Sequence, residues 1–280
     1  MQSGSALNDG GFFILSSEEV ESLIEKYPAC RSLIKKFYSG YDFLNRSHRW
    51  CLWLKDTNPT ELRKYPEILY RIEKVKEFRE GSKRINTRKM AAFPYLFSEE
   101  RQPSSEFLLI PKVSSENRLY IPIGYMSKDD IITDKNFFVS NASAYHFGIL
   151  TSLMHMTWMR YVCGRLKSDY SYSNTIVYNN FPWPQDLPKQ KIKGVEKLAE
   201  QVLKVRERYP ESSLADLYDP LTMPADLVRT HQDLDKFVDT CYRPQPFDTE
   251  MQRIEFLFEL YKKYTQPLFG SEKKIKRKLK

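Results

Sequence analysis

The segment KVSSENRLYIPIGY, residues 112–125, places a carboxylate and a guanidinium two positions apart, just before an apolar run. Successive side chains of a strand point to opposite sides, so the pattern predicts Glu116, Arg118 and Tyr120 on one face. A carboxylate accepts a hydrogen bond from N4 of cytosine, and a guanidinium donates to N7 and O6 of guanine. The two charges could therefore read both halves of one C·G pair. Alternatively, they could form an exposed ion pair that contributes little.

A second polar segment, REGSKRINTRKM at residues 79–90, is rich in cations, hydroxyls and amides. In a loop, such side chains suit contacts to DNA phosphates, which fix register without reading sequence. The cationic, hydroxyl and amide residues of this predicted loop are Arg79, Ser82, Lys83, Arg84, Asn86, Thr87, Arg88 and Lys89. A solvated basic loop is the alternative. Because both segments lie in one region of predicted strands, together they favour a DNA-binding surface.

Composition points to a globular protein with an affinity for polyanions. The 280 residues carry a net charge of +8 and have a pI near 9.1, which favours acidic partners such as nucleic acid. The four cysteines are far apart and include no C-x-x-C pair, so a reducing cytoplasm is predicted. The most apolar window, residues 145–164, contains His146, His155 and Arg160, and it predicts a core helix rather than a membrane span.

Motifs for catalysis are weak or missing. NNFPWP at 179–184 partly matches the N-P-P-Y loop of amino-methyltransferases, but the adjacent prolines and a glycine-rich cofactor turn are absent. The acid-x-Lys pattern of metal-dependent nucleases occurs only at Glu272–Lys274, within a basic tail. His231 lies on an apolar stripe with helical spacing, which predicts a core histidine. We therefore expect no catalytic residue, no metal site and no bound cofactor.

Periodicity and turn residues predict an α+β fold. Ser16 and Glu19 form a capping box that should begin a helix. Further elements are predicted as a helix at 30–40, a buried strand at 49–54, a helix from Asn58 or Thr60 to Gly81 broken near Pro66, and short strands at 106–113, 118–125 and 136–140. Pro111 and Pro122 favour edge strands or bulges. Helices are predicted at 144–165, 194–207, 225–241 and 250–264.

This pattern divides the chain into a mixed α+β body at 1–185 and a small helical module at 186–280 that ends in a basic tail at 272–280. Residues 1–15 are predicted to be a linker because they are small, polar and rich in glycine.

The chain resembles the C-terminal part of the MmeI-type restriction-modification enzymes. The matching segments are DGGFFILSSEE, RWCLWL, SSENRLYIPIGY, YSNTIVYNNFPWP and DLYDPLTMPADLVRTHQDLDKFVDTCYRP, which follow one another in family order. The resemblance implies a DNA target recognition domain at 1–185 and a helical C-terminal module. It also implies that Glu116 and Arg118 contact one base pair, and that Tyr120 and the region of Lys83 and Arg84 lie near a neighbouring one.

The resemblance further implies a fragment without catalysis. The expected partners are double-stranded DNA and upstream domains of the same polypeptide, namely an adenine N6-methyltransferase that uses S-adenosylmethionine and an endonuclease that uses Mg²⁺. Two other interpretations stay open. One is a protein–protein module that uses the aromatic surface and the C-terminal helices. The other is a stand-alone methyltransferase, which the missing cofactor loop opposes.

Overall fold

The structure is a computed structural model that describes residues 1–266. Its helices are α1 (Ser17–Lys26), α2 (Gly40–Leu44), α3 (Pro59–Leu62), α4 (Pro66–Glu80), α5 (Ile85–Lys89), α6 (Ala144–Leu150), α7 (Leu153–Val162), α8 (Lys189–Arg206), α9 (Leu214–Leu217), α10 (Ala225–Tyr242) and α11 (Glu250–Thr265). Its strands are β1 (Gln2–Ser3), β2 (Ile14–Leu15), β3 (Ile34–Tyr38), β4 (Arg49–Leu52), β5 (Phe107–Pro111), β6 (Val113–Ser114), β7 (Gly124–Met126), β8 (Ile131–Ile132), β9 (Asn136–Ser140), β10 (Gly164–Leu166) and β11 (Asp169–Ser171). This mixture confirms the predicted α+β class. The basic tail and the Glu272–Lys274 motif lie outside the described residues.

The N-terminal part is built around a sheet with the strand order β2-β4-β3-β8. The predicted capping box begins α1, with the Glu19 amide donating to Ser16 Oγ at 3.2 Å and the Ser16 amide donating to the Glu19 carboxylate at 2.8 Å. The strand predicted at 49–54 is present as β4, and α4 ends before Gly81 as predicted. Apolar side chains of α1, α4 and this sheet form one hydrophobic core.

The prediction of a helix at 30–40 is wrong. A 3₁₀ turn occupies Pro28–Leu33, and β3 follows it. Strand β3 pairs with β4 on one side and with β8 on the other, burying Ile34 and Phe37. These pairings connect residues far apart in sequence, and such tertiary pairing overrides local propensity.

A second sheet has the strand order β1-β9-β5-β7. All five residues of β5 are buried, and the strand pairs with β9 and with β7. The prediction of an edge strand from Pro111 is therefore wrong. Proline lacks an N–H donor, but Pro111 is the last residue of β5, where the strand's pairing ends. A small sheet, β10-β11-β6, completes this half.

Residues 1–15 are not a linker, which corrects the prediction from their composition. Residues Gln2–Ser3 pair with β9, and Ile14–Leu15 pair with β4. Between them, the Asp9 carboxylate accepts from the amides of Gly11 and Phe13, at 3.1 and 2.7 Å. The segment thus contributes strands to both large sheets.

The C-terminal helices pack on α6 and α7 around one continuous core. The helix predicted at 144–165 is instead two helices, separated at Thr151 and Ser152, whereas α8, α10 and α11 agree with prediction. Helix contacts are close at two glycines: a Cβ at Gly148 would lie 2.7 Å from Val195 Cγ1, and one at Gly194 would lie 2.1 Å from Phe237 Cζ. Among residues 1–266, no helix is long and apolar enough to cross a membrane.

Candidate nucleic-acid interface

The predicted strand carrying Glu116 and Arg118 is instead a turn. Between β6 and β7, the Arg118 amide donates to Ser115 O at 3.2 Å and the Asn117 amide donates to Ser115 Oγ at 3.3 Å. Glu116 and Asn117 lie exposed at the tip, and the chain regains strand structure only at Gly124. We call residues 115–118 the recognition turn and residues 119–123 the anchor segment.

Tyr120 lies in the core, so its predicted place on a face with Glu116 and Arg118 is wrong. Its side chain is 1% exposed, and its hydroxyl donates to Asp235 Oδ2 at 2.6 Å. The ring stacks on His231 with centroids 4.1 Å apart. Buried in this way, the tyrosine presents no atom to a partner on the surface.

Glu116 pairs with Arg165 rather than with Arg118. The Glu116 carboxylate lies 3.5 Å from Arg165 Nη1, and both side chains are part-exposed. Arg165 is itself ordered by stacking over Tyr170, 4.1 Å from the ring centroid, and by donating to Ser168 O at 2.8 Å. The β10-β11 hairpin therefore orients Glu116, a contact across 49 residues of sequence that spacing alone does not reveal.

Arg118 is half-buried at the junction of two clefts of about 480 and 430 Å³. Burial lowers its pKa, and the carboxylates of Asp219 and Asp169 counter part of that effect. Glu116 shares the smaller cleft with Arg118, and Met223 from the helical module lines its other side. Glu116 and Arg118, the two predicted base readers, thus line the same cleft. In the described part of the chain, residues 1–266, no ion pair joins their side chains.

The polar segment at residues 79–90 divides into one buried arginine and an exposed surface. Arg79 is 0% exposed at the end of α4 and bonds only to backbone carbonyls, so its assignment to a basic loop is wrong. The rest is not a plain loop either, because Ile85–Lys89 form α5. Exposed cations of this segment that have no carboxylate partner within 1–266 are Lys83, Arg84, Arg88 and Lys89.

The two hydroxyl residues of the segment, Ser82 and Thr87, are half-buried. Ser82 also fixes its neighbours, since its carbonyl accepts from Arg88 Nη1 at 2.7 Å and its Oγ from the Arg84 amide at 3.2 Å. We call residues 82–89 the basic segment. No described hydrogen bond or ion pair joins it to the recognition turn.

The methyltransferase-like NNFPWP motif forms a structural turn. The Asn180 side-chain amide donates to Thr175 O and Ile176 O at 3.1 and 3.2 Å. Trp183 packs edge-on against Phe181, with centroids 5.5 Å apart. The amide is thus occupied by the backbone of the preceding π turn, Asn174–Tyr178.

His231 is buried, as predicted, and its Nε2 lies 2.8 Å from the Tyr218 hydroxyl. Burial lowers its pKa well below the usual range, so the ring is neutral at pH 7. The described residues contain no cluster of three or more histidine, cysteine or acidic side chains able to hold a metal ion.

Comparison with known proteins gives consistent matches along the chain. Residues 1–185 match the family described as MmeI, target recognition domain, and residues 186–269 match MmeI, C-terminal domain. A protein named DNA methyltransferase A, from Bacillus subtilis (strain 168), is 37% identical over 263 residues, covering 94% of this chain and 30% of that protein. The solved structure of the Type IIL restriction-modification enzyme MmeI in complex with DNA is 43% identical, with a TM-score of 0.91 over 94% of this chain and 35% of that chain. The chain therefore spans about a third of the length of these relatives.

Proposed function

Because the chain belongs to the MmeI family, of which it carries the target recognition and C-terminal domains, we propose that it recognises a specific sequence of double-stranded DNA. The observation that carries the proposal is the recognition turn. It presents the Glu116 carboxylate and the Arg118 guanidinium to one surface concavity, within a fold shared with a DNA-bound relative. Basic composition adds support, since the net charge of +8 favours a polyanionic partner.

Glu116 and Arg118 are the proposed base readers. A carboxylate near DNA is repelled by phosphates unless it accepts from a base donor, and N4 of cytosine is such a donor in the major groove. Arg118 can donate to N7 and O6 of the paired guanine. One well-placed contact of this kind discriminates between bases by about 1–3 kcal/mol. Tyr120 is left out of this role because its hydroxyl is bonded to Asp235 inside the core.

The basic segment is the proposed phosphate-contacting surface. Its exposed lysines and arginines project from a short helix and the turn before it, and Ser82 and Thr87 add hydroxyl groups there. Cations without carboxylate partners can release counterions from DNA when they bind phosphates, so they strengthen binding to every sequence.

Catalysis is proposed to belong to further domains of a longer polypeptide. Relatives about three times as long include one named a DNA methyltransferase and one named a restriction-modification enzyme. Such domains would bind S-adenosylmethionine for adenine N6-methylation and Mg²⁺ for DNA cleavage, while this chain selects the site. A cytoplasmic location is part of the proposal and is supported by the free thiols at Cys30, Cys51, Cys163 and Cys241.

Exchanging the two charges of the recognition turn tests the base-reading role. In the polypeptide that carries this chain, Glu116→Lys combined with Arg118→Asp should change the preferred base pair at one position from C·G to G·C. The reason is that lysine donates to guanine and aspartate accepts from cytosine. Selection from a randomised duplex library, followed by sequencing, measures the preference.

The matched control exchanges an exposed ion pair elsewhere, Lys74→Glu with Glu77→Lys on α4, whose side chains lie 2.6 Å apart. It leaves the net charge unchanged and should leave the selected motif unchanged. An identical motif from the wild type and from the Glu116 and Arg118 double variant would refute the assignment of these residues.

A further inference from the structure

The anchor segment connects the recognition turn to the helical module through the Tyr120 side chain. The Tyr120 hydroxyl donates to Asp235 Oδ2 at 2.6 Å, and the other carboxylate oxygen accepts from the Leu153 amide at 2.7 Å. Both Tyr120 and Asp235 are at least 97% buried. The ring of Tyr120 stacks on His231 at an interplanar angle of 20°. One side chain of the segment is thus fixed by α10 through both its ring and its hydroxyl.

The backbone of the segment is fixed as well, at its first and last residues. Arg160 Nη2 of α7 donates to Leu119 O at 2.9 Å, while its Nη1 pairs with Glu250 at 3.0 Å. Arg206 Nη1 of α8 donates to Ile123 O at 2.7 Å. Hydrogen bonds from charged donors are about twice as strong as neutral ones, so these carbonyls are held firmly.

The two sets of contacts form one connected network. Arg206 Nε donates to the Tyr218 hydroxyl at 2.7 Å, and that hydroxyl lies 2.8 Å from His231 Nε2. His231 stacks on Tyr120, whose hydroxyl is bonded to Asp235. The contacts therefore run from Arg206 on α8 through Tyr218, just after α9, to His231 on α10 and then to Tyr120. Tyr120 lies two residues after Arg118 in the chain.

We propose that this network, which we call the clamp, makes the C-terminal helical module a determinant of sequence discrimination by holding the recognition turn in its reading geometry. The inference rests on the proposed function. Tyr120, Asp235 and Arg206 are positioning residues in it, because they act on the turn through the backbone and do not touch DNA. Base readout requires side chains to be placed within about 0.5 Å, and a turn with exposed side chains depends on neighbouring contacts for that order.

Removal of one hydroxyl tests the clamp without any DNA. Tyr120→Phe keeps the stacked ring and deletes the bond to Asp235. The matched control is Tyr209→Phe, which deletes a bond of the same type and length, from Tyr209 to Asp226 Oδ1 at 2.6 Å, away from the anchor segment. Hydrogen exchange read by mass spectrometry should show amides at 115–123 exchanging about tenfold faster in Tyr120→Phe, as expected for the loss of one buried hydrogen bond. The control should leave these amides unchanged.

The consequence for recognition is measured on the same variants, with the wild-type selected duplex and a shuffled duplex. Tyr120→Phe should lower the ratio of the two affinities about tenfold, the discrimination of one base contact, and leave affinity for the shuffled duplex unchanged. Arg206→Lys should lower the ratio in the same direction. Equal exchange at 115–123 in the Tyr120 and Tyr209 variants would overturn the clamp, as would faster exchange with an unchanged affinity ratio. A wild type that selects no sequence contradicts the proposed function instead, and the exchange data then still decide whether α8 and α10 order the turn.

Discussion

Arg79 should be among the most sensitive positions of the fold, although it begins a segment that the sequence predicts to be a polar loop contacting DNA phosphates. Its guanidinium donates to five carbonyl groups, at distances of 2.7–3.1 Å. These acceptors are Leu7, Asn8, Met90, Phe93 and Leu96. The arginine therefore joins the N-terminal segment, the end of α4 and the chain that follows the basic segment.

The expected cost of losing it follows from this bonding. Each hydrogen bond with a charged partner contributes about 1.5–3 kcal/mol, but bonds made by one side chain are not additive. Breaking a buried charged network by removing one member typically costs about 3–5 kcal/mol. We expect Arg79→Met to lower the free energy of unfolding by about 4 kcal/mol. Arg79→Lys should cost about 2 kcal/mol, since an ammonium keeps the charge but has only three donors.

Urea unfolding followed by tryptophan fluorescence measures both losses. The control is Arg229→Met, because Arg229 is exposed on α10 and makes no described hydrogen bond, so its change should stay within about 0.5 kcal/mol. A loss below about 1 kcal/mol for Arg79→Met would refute the reasoning, as it would mean that the five carbonyls find other partners at little cost.

Two further predictions concern binding and pH. Arg84→Ala should weaken binding to all duplexes and reduce the slope of log affinity against log salt by about one ion. Fluorescence anisotropy titrations at several salt concentrations measure both effects. A loss of affinity confined to one sequence would instead make Arg84 a base reader. Burial lowers the pKa of His155 to about 4, so the unfolded chain, with its histidine pKa near 6.5, binds the proton first as pH falls. Between pH 7 and 5 the wild type should therefore lose about 2 kcal/mol more stability than His155→Gln, and parallel urea profiles would contradict this.

Elements with short-range signals were predictable from sequence. The capping box at Ser16 and Glu19, the break before Pro66 and the apolar stripes of α8, α10 and α11 all depend on residues within a few positions of one another. Such signals act through local backbone hydrogen bonds and one face of a helix, so they do not require knowledge of the tertiary partner.

Elements set by distant partners were not predictable in the same way. Residues 34–38 became a strand because β4 and β8 flank them, and β5 is central because β7 and β9 come from later in the chain. The anchor segment shows the same effect: from Tyr120 to Ile123 every residue is buried. An alternating strand pattern would have exposed every second residue, but here the segment packs against α7 and the C-terminal helices in one core.

The residues of the candidate site also differ in how far their surroundings could be predicted from sequence. The exposure of Glu116 could be predicted from the polar residues around it. Its ion pair with Arg165 could not, because the pairing of β11 with β6 brings the two residues together. Arg79 and Arg84 show how little composition decides. They lie five positions apart in one basic run, yet one is buried and the other is exposed. Position relative to α4, which ends between them, separates the two roles.

The two proposed DNA-contacting elements are supported by different parts of the protein. The anchor segment belongs to the core formed with the C-terminal helices, whereas the basic segment follows α4, whose apolar face belongs to the N-terminal core. Because the clamp and the basic segment share no residue and no described hydrogen bond or ion pair joins them, changes in them should be energetically independent. Sequence discrimination and general affinity for DNA should therefore vary separately. A double variant that combined Tyr120→Phe with Arg84→Ala should show the sum of the two single effects, and a large departure from that sum would mean that the two elements are coupled through the bound duplex.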